Sequence, residues 1–266
     1  MTGSCLFNRK EVKLMKLGIR INQLLRPFGI LIARRRTIGK QWFFGAHSTC
    51  QIPNLGFLYE EIFGQLASGY VVEVGAYDGI FLSNSSCLIE QGWNGLLVEP
   101  VEHLAEACRL RYSSNKNVNV LQMAVGSELG HADLFYMDTM SSMSQELKAE
   151  YETKEWAQPS LRESRTIRVD VDSLDNILTK ENVPVSFEVL IVDVEGMETA
   201  VFAGLTLNKW KPKMLIVELA DFHPDLKTNQ TESFQLAEEI TRSGYRVIYK
   251  DHINTIFVRD DIFAAQ

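Results

Sequence analysis

The chain has 266 residues, of which 45% are hydrophobic, which is enough for one substantial core with an appended arm and excludes a disordered protein. The formal net charge is −7, but the charges are unevenly distributed. Ten of the 27 basic residues and one of the 34 acidic residues lie within residues 1–40, which leaves 17 basic and 33 acidic residues in the remainder. This acidic remainder argues against nucleic acid as its ligand.

Residues 1–50 are expected to form a basic N-terminal arm. Its apolar stretch, residues 17–33, is interrupted by Arg20, Arg26 and Pro27, so it is too short and too charged to span a bilayer. No secretory cleavage pattern follows it. The stretch fits an amphipathic segment on an anionic membrane surface, and it also fits an ordinary helix packed on the domain. Both interpretations remain open.

The cysteines bear on the cellular compartment. Their positions show neither close pairing nor the spacing of a metal site: Cys5, Cys50, Cys87 and Cys108. Free or packed thiols in a reducing cytosol are the simplest interpretation. We therefore expect a cytoplasmic protein, and the basic arm leaves open a peripheral contact with the membrane.

Residues 51–266 alternate between short apolar runs and helical patterns, and we expect them to form one domain. Strands are predicted at 70–74, 95–99, 118–123, 166–171, 187–192, 213–219, 245–250 and 254–258. Helices are predicted at 57–66, 84–91, 101–111, 173–180, 197–204 and 231–243. This order predicts an α/β fold with a mainly parallel sheet and helices on both faces. The short link between the last two strands predicts a closing antiparallel hairpin.

An acidic glycine loop, VVEVGAYDGI, follows the first strand. Gly75 and Gly79 permit a tight turn, but the spacing lacks the glycines of a pyrophosphate-binding G-x-G-x-x-G motif. Carboxylates at Glu73 and Asp78 would repel a phosphate and attract a cation. Glu99, at the end of the second strand, can accept hydrogen bonds from ribose hydroxyls. A ribose and a cation without phosphate indicate S-adenosylmethionine; the alternative is a turn that only stabilises the fold.

A second acidic group follows two later strands, in EVLIVDVEGME and MLIVELADFH. Asp193, Glu195 and Glu218 are expected to meet in one crevice, because the carboxyl ends of adjacent parallel strands lie together. These three residues, with His223, are candidates for a catalytic base, and the three carboxylates are candidate ligands for Mg²⁺ or Ca²⁺. The alternatives are a surface role for His223 and a helix-dipole role for Glu198.

Five segments, in order, resemble the FkbM-type methyltransferases over roughly residues 55–260: VVEVGAYDGIFLSNSSCLIEQGWNGLLVEP, LQMAVGSELG, VDSLDNIL, VLIVDVEGMETAVFAGL and KPKMLIVEL. The resemblance implies a Rossmann-like class I methyltransferase fold with a mostly parallel seven-stranded sheet. It also implies S-adenosylmethionine-dependent O-methylation of hydroxyls on sugars, glycans or related natural products. The segment INQLLRPFGILIARRR of the arm resembles leaders of bacterial members associated with glycan assembly.

The resemblance also implies roles for particular residues. The methionine part of the cofactor is expected against the glycine loop, the ribose at Glu99, and the adenine beside Ala124 and Val125 at the end of the third strand. Asp193 and Glu195 are expected to face the transferred methyl group. The full set of expected cofactor contacts is Glu73, Gly75, Tyr77, Asp78, Gly79, Ser83, Asn84, Glu99, Pro100, Ala124, Val125 and Asp193.

A long polar segment, residues 135–165, separates two predicted elements and is expected to shape the acceptor site. Its apolar and aromatic side chains offer a surface on which a sugar could stack, with hydroxyls nearby for hydrogen bonds: Tyr136, Met140, Met143, Tyr151 and Trp156, with Ser141 and Ser142. The alternative is a helical cap whose aromatic residues belong to the core.

Three functions remain open from the sequence. The first is an O-methyltransferase acting on a glycan or small molecule. The second is a non-catalytic module that retains the cofactor fold and uses the basic arm to bind a partner. The third is an NAD-dependent oxidoreductase, which would need pyrophosphate contacts that the acidic loop discourages.

The basic arm yields a prediction that is independent of the fold. Deletion of residues 1–40 is expected to weaken binding to anionic liposomes at least tenfold, since each basic side chain near such a surface contributes about 1 kcal/mol. Affinity for S-adenosylhomocysteine should be unchanged. Liposome co-sedimentation measures the first quantity and calorimetry the second, with uncharged liposomes as the control. Equal binding of both proteins to anionic liposomes would refute a membrane role for the arm.

Overall fold

The computed structural model describes residues 50–64, 68–219 and 225–264. The predicted arm, apart from Cys50, therefore lies outside the described residues, as does His223. Within the described ranges, no helix is both long and apolar enough to cross a membrane.

Ten strands are present in the described part of the chain: β1 (Tyr70–Val74), β2 (Asn94–Val98), β3 (Val118–Leu121), β4 (Ala124–Gly126), β5 (Gly130–Tyr136), β6 (Arg165–Ser173), β7 (Val189–Val192), β8 (Met214–Glu218), β9 (Tyr245–Lys250) and β10 (Asn254–Arg259). Seven of them form one sheet in the order β3-β2-β1-β7-β8-β10-β9. The pairs among β3, β2, β1, β7 and β8 are parallel, whereas β10 is antiparallel to both β8 and β9. The predicted mostly parallel seven-stranded sheet with a C-terminal antiparallel hairpin is confirmed.

The described α-helices are α1 (Leu55–Phe63), α2 (Ser86–Glu90), α3 (Glu102–Arg111), α4 (Gln145–Tyr151), α5 (Gln158–Arg162), α6 (Leu174–Lys180), α7 (Glu198–Ala203), α8 (Leu207–Trp210), α9 (Gln230–Arg242) and α10 (Asp260–Ala264). Helices cover both faces of the main sheet, and successive residues of a strand point to opposite faces. Val72 of β1 packs in one core with α6, α7 and α9, whereas Val71 packs in a second core with α1, α2 and α3.

The strand order places a crevice at the carboxyl edge of the sheet. From β1 the chain moves outward through β2 and β3, and it later returns to the other side of β1 at β7. The carboxyl ends of β1, β2 and β7 therefore surround the point where the strand order reverses, which is where ligands bind in open α/β sheets.

A small second sheet, with the order β4-β6-β5, differs from the prediction. The predicted third strand, 118–123, ends at Leu121, and Ala124 and Val125 belong to β4 instead of ending that strand. The predicted strand 166–171 lies in this second sheet, and β5 was missed. Most of β5 is not buried, so it lacks the apolar alternation that identifies a strand, and β4 has only three residues.

The segment between β5 and β6, residues 137–164, forms α4, α5 and the short 3₁₀ helix Glu155–Ala157. Its core contains Met137, Leu147 and Tyr151, together with Leu226 from the segment that precedes α9. Tyr151 is only 2% exposed, so it belongs to this core rather than to an open stacking surface, whereas Trp156 is 49% exposed. We call residues 135–165 the insertion below.

Gly75, directly after β1, lies against the backbone of Asp193, directly after β7. A Cβ atom at Gly75 would lie 1.7 Å from the carbonyl oxygen of Asp193, and its φ angle of +87° also disfavours a side chain. Gly244 has a similar φ of +90° but has no atom within 4 Å of the corresponding position.

This pair of glycines predicts unequal losses of stability. Gly244→Ala is expected to lower the free energy of unfolding by about 1–2 kcal/mol, the cost of a left-handed backbone alone. Gly75→Ala is expected to lower it by at least about 2 kcal/mol more, because the overlap with a backbone oxygen cannot be relieved by a side-chain rotation. Urea unfolding measures both values. Similar losses for the two variants would contradict the close approach.

Candidate active site

One cavity occupies the crevice at the carboxyl edge of the main sheet. Ten of the twelve residues predicted to contact a cofactor line it: Glu73, Gly75, Tyr77, Ser83, Asn84, Glu99, Pro100, Ala124, Val125 and Asp193. The other two predicted contacts, Asp78 and Gly79, lie outside its wall. The insertion supplies further lining residues that the sequence analysis did not assign to this cavity, including Asp138 and Thr139.

Glu73 is the carboxylate that the sequence places inside an apolar strand. It is 3% exposed, and its Oε2 accepts hydrogen bonds from the hydroxyls of Ser85 (2.7 Å) and Ser83 (3.2 Å). Burial raises the pKa of Glu73 to about 7, while the two serine hydroxyls oppose that rise by stabilising the ionised form. The two serines that precede α2, Ser83 and Ser85, thus reduce the free-energy cost of burying this carboxylate.

Glu99 is held by backbone groups on both of its oxygens. Oε2 accepts from the N–H of Tyr77 at 2.9 Å, and Oε1 accepts from the N–H of Val101 at 2.8 Å. The residue is 5% exposed, and burial raises its pKa to about 7 despite these two hydrogen bonds. Its orientation is therefore fixed, and each oxygen retains a lone pair for a ligand.

Asp78 and Gly79 stabilise the glycine loop without lining the cavity. Asp78 Oδ1 accepts from the backbone N–H groups of Ile80 (2.9 Å) and Phe81 (2.7 Å), so this carboxylate stabilises the turn. The Gly79 carbonyl accepts a hydrogen bond from the hydroxyl of Tyr112 at 2.7 Å. These contacts account for the position of both residues outside the cavity wall.

Tyr77 connects the glycine loop to the insertion across the cavity. Its hydroxyl donates to Asp138 Oδ1 at 2.5 Å, and both residues line the cavity. Burial raises the pKa of Tyr77, and the nearby Asp138 carboxylate raises it further. Tyr77 and Asp138 both have positive φ angles, of 50° and 59°. Nothing in the sequence pattern indicated this contact, because the two residues are 61 positions apart.

Asp193, Glu195 and Glu218 lie together, with one carboxylate oxygen of each within 4.8 Å of the others. Asp193 and Glu195 line the cavity, whereas Glu218 does not. Burial raises the pKa of all three, and the charge of Asp193 raises those of Glu195 and Glu218 further. Oxygen donors of this kind suit Mg²⁺ or Ca²⁺, so the three residues fit such an ion chemically.

Glu198 supports the turn that carries these acids. Its Oε1 accepts from the backbone N–H groups of Val194 (3.2 Å) and Gly196 (3.1 Å), and burial raises its pKa to about 7. This structural contact adds to the helix-dipole role that the sequence suggested. Tyr151 and Ser142 of the insertion also contact the turn at Glu195, which the sequence analysis did not foresee.

The cavity is lined by acidic side chains that have no ion-pair partner in the described part of the chain. No ion pair there involves Glu73, Glu99, Asp193 or Glu195. An acidic cavity of this kind favours a ligand with positive charge and disfavours a phosphate.

Comparison with known proteins gives the family. Residues 73–247 match the family described as "Methyltransferase FkbM domain". The chain belongs to the FkbM methyltransferase family. The predicted family membership and methyltransferase activity are thereby confirmed, and the NAD-dependent oxidoreductase is set aside. A comparison of this FkbM methyltransferase with curated proteins found no match.

Several solved structures resemble the FkbM methyltransferase described here at low sequence identity. The O-methyltransferase TomG from Streptomyces achromogenes, in complex with SAM, is 12% identical, with 96% of this chain and 92% of that chain covered and a TM-score of 0.44. An O-methyltransferase from Bacillus cereus, in complex with SAH, is 10% identical, with coverages of 96% and 94% and a TM-score of 0.40. The METTL16 MTase domain is 12% identical, with coverages of 96% and 82% and a TM-score of 0.44.

The raised pKa of Glu99 predicts a pH dependence of stability. Because the pKa rises from 4.5 to about 7 on folding, the native state binds more protons within this window, and the free energy of unfolding falls as the pH rises through it. Glu99→Gln cannot titrate, so its fall should be smaller than that of the wild type by up to about 3 kcal/mol.

Denaturant unfolding at several pH values between 4.5 and 7 measures this difference. Glu163→Gln, a substitution on an exposed residue, is the control and should follow the wild type. Parallel curves for the wild type and Glu99→Gln would show that Glu99 titrates normally in the folded protein.

Proposed function

We propose that this FkbM methyltransferase transfers the methyl group of S-adenosylmethionine to a hydroxyl of a sugar, a glycan or a related natural product. The observation that carries the proposal is the pair of buried carboxylates, Glu73 and Glu99, which lie near the carboxyl ends of two adjacent parallel strands and line one cavity. S-adenosylmethionine combines a cationic sulfonium and ammonium with a ribose and carries no phosphate, which is the chemistry that such a cavity favours.

Each part of the cofactor has a candidate partner in the cavity. The free lone pairs of Glu99 can accept hydrogen bonds from the ribose hydroxyls, because its carboxylate is already oriented by Tyr77 and Val101. Ala124 and Val125 offer apolar contact for the adenine. The carboxylate of Glu73 also lines the cavity, where it favours the positive charge of the methionine part.

The acceptor is proposed to enter beside Asp193 and Glu195. Methyl transfer to a hydroxyl needs the acceptor oxygen in line with the sulfonium methyl group, and it needs a base for the hydroxyl proton. Glu195 is the proposed base, since it lines the cavity and its raised pKa makes it a better proton acceptor than an ordinary glutamate. Thr139 of the insertion offers a hydroxyl to a polar acceptor. The Ser141 hydroxyl also lines the cavity but already donates to the backbone carbonyl of Asp138 at 2.6 Å.

A divalent cation remains a prediction from the sequence. Asp193, Glu195 and Glu218 would hold it, and a bound ion would acidify the acceptor hydroxyl. The proposed transfer does not depend on it, because Glu195 can take the proton directly. The cytoplasmic location and the exclusion of nucleic acid as a partner also remain predictions.

Titration calorimetry with S-adenosylhomocysteine tests the cofactor assignment. Glu99→Ala removes the proposed ribose contact, so its affinity should fall by about 10- to 100-fold, the usual value for lost hydrogen bonds to a charged group. Glu102→Ala, on an exposed glutamate at the start of α3, is the matched control and should bind as the wild type does. Thermal melting verifies that each variant is folded, and Glu99→Gln replaces a variant that is not.

Transfer of radiolabelled methyl groups to a panel of glycans and small alcohols then tests the acceptor class. Wild-type protein that binds S-adenosylhomocysteine and methylates members of this panel supports the proposal. Clear affinity for NAD, with none for S-adenosylhomocysteine, would refute the cofactor assignment. Methylation confined to amines or thiols in a parallel panel would refute the acceptor class alone.

A further inference from the structure

The turn that follows β7 is held by the insertion, which lies outside the main sheet. Tyr151, the last residue of α4, is 2% exposed, and its hydroxyl donates to Glu195 Oε2 at 2.9 Å. The hydroxyl of Ser142 donates to the backbone carbonyl of the same residue at 2.6 Å. The insertion therefore contacts both the side chain and the backbone of Glu195.

The backbone of this turn requires such support. Glu195 has a φ of 52°, a region that side chains rarely occupy and that persists only where surrounding contacts hold it. At Gly196, a Cβ atom would lie 2.8 Å from Leu147 Cδ2 and 2.6 Å from Asn229 Nδ2, so α4 and the start of α9 close on the turn. Asn229 also donates from its amide to the Gly196 carbonyl at 2.8 Å.

We propose that Tyr151 is a positioning residue for methyl transfer, whose hydroxyl fixes the Glu195 carboxylate at the cavity wall where the acceptor hydroxyl loses its proton. This inference rests on the proposed function, because it takes Glu195 as the base. Tyr151 does not itself line the cavity. Within the described residues, the Glu195 carboxylate accepts its side-chain hydrogen bond from the Tyr151 hydroxyl.

Other acids surround the carboxylate that Tyr151 holds. Asp193 and Glu218 each place a carboxylate oxygen within 4.8 Å of one of the Glu195 oxygens. Charges of the same sign repel each other at such distances. The Glu195 carboxylate therefore needs a donor that holds it in one orientation, and the Tyr151 hydroxyl supplies it.

The experiment compares the position of the Glu195 side chain in crystal structures of two variants and of the wild type, each grown with S-adenosylhomocysteine. Tyr151→Phe removes only the hydroxyl and keeps the ring contact with Trp156, at 5.7 Å between centroids. The matched control is Tyr245→Phe, since Tyr245 of β9 is also 2% exposed and its hydroxyl donates to the Pro212 carbonyl at 2.8 Å.

In Tyr151→Phe, the Glu195 carboxylate is expected to rotate away from its wild-type position at the cavity wall, because the donor that holds it is gone. In Tyr245→Phe it should keep its wild-type position, although both variants lose one buried hydrogen bond. A Glu195 carboxylate that keeps its wild-type position in Tyr151→Phe would overturn the positioning role.

A second measurement covers the case in which Tyr151→Phe does not fold. This measurement is a crystal structure of the wild-type protein with S-adenosylhomocysteine. A Tyr151 hydroxyl within hydrogen-bond distance of the Glu195 carboxylate supports the positioning role. A Tyr151 hydroxyl that lies beyond about 3.5 Å from both carboxylate oxygens overturns it. Calorimetry on the same samples separates the two proposals. Failure of the wild type to bind S-adenosylhomocysteine refutes the proposed function and leaves the contact between Tyr151 and Glu195 untouched.

Discussion

The buried carboxylates of Glu73 and Glu99 are the constraint on which the site depends. A carboxylate removed from water is destabilising unless hydrogen bonds or a cation compensate it. Here two serine hydroxyls compensate one carboxylate and two backbone N–H groups compensate the other, and neither acid has an ion-pair partner among the described residues. A cationic ligand can supply the compensation that an ion pair would give. The same two buried carboxylates that destabilise the fold therefore favour the binding of such a ligand.

The sheet topology turns this local constraint into a site. Parallel pairing of β1 with both β2 and β7 places the ends of three strands at one point, although they are far apart in the sequence. Gly75 lets the first loop pass directly against the backbone of Asp193, so the acids after β1 and β7 face one cavity. The insertion contacts this cavity through Tyr77–Asp138 and Tyr151–Glu195, two hydrogen bonds that join it to the glycine loop and to the proposed base.

The main sheet could be predicted because its signals are local. Runs such as VVEV and MLIVE are apolar enough to identify buried strands, and the acids that follow them are adjacent in the sequence. The second sheet could not be predicted, since β4 is only three residues long and pairs with a strand more than forty residues away. The hydrogen-bond partners and the burial of individual side chains could not be predicted either. The sequence showed that Asp78 was a loop acid, but only the structure shows its oxygen bonded to the N–H groups of Ile80 and Phe81. For Tyr151, an aromatic residue in a polar segment suggested a stacking surface, whereas tertiary packing buries it.

A crystal structure of the protein grown with S-adenosylhomocysteine tests the central claim most directly. The account predicts that the ribose hydroxyls lie within hydrogen-bond distance of Glu99 and that the sulfur faces the side of the cavity formed by Asp193 and Glu195. A nucleoside bound elsewhere on the protein, or an empty cavity at saturating ligand, would contradict it.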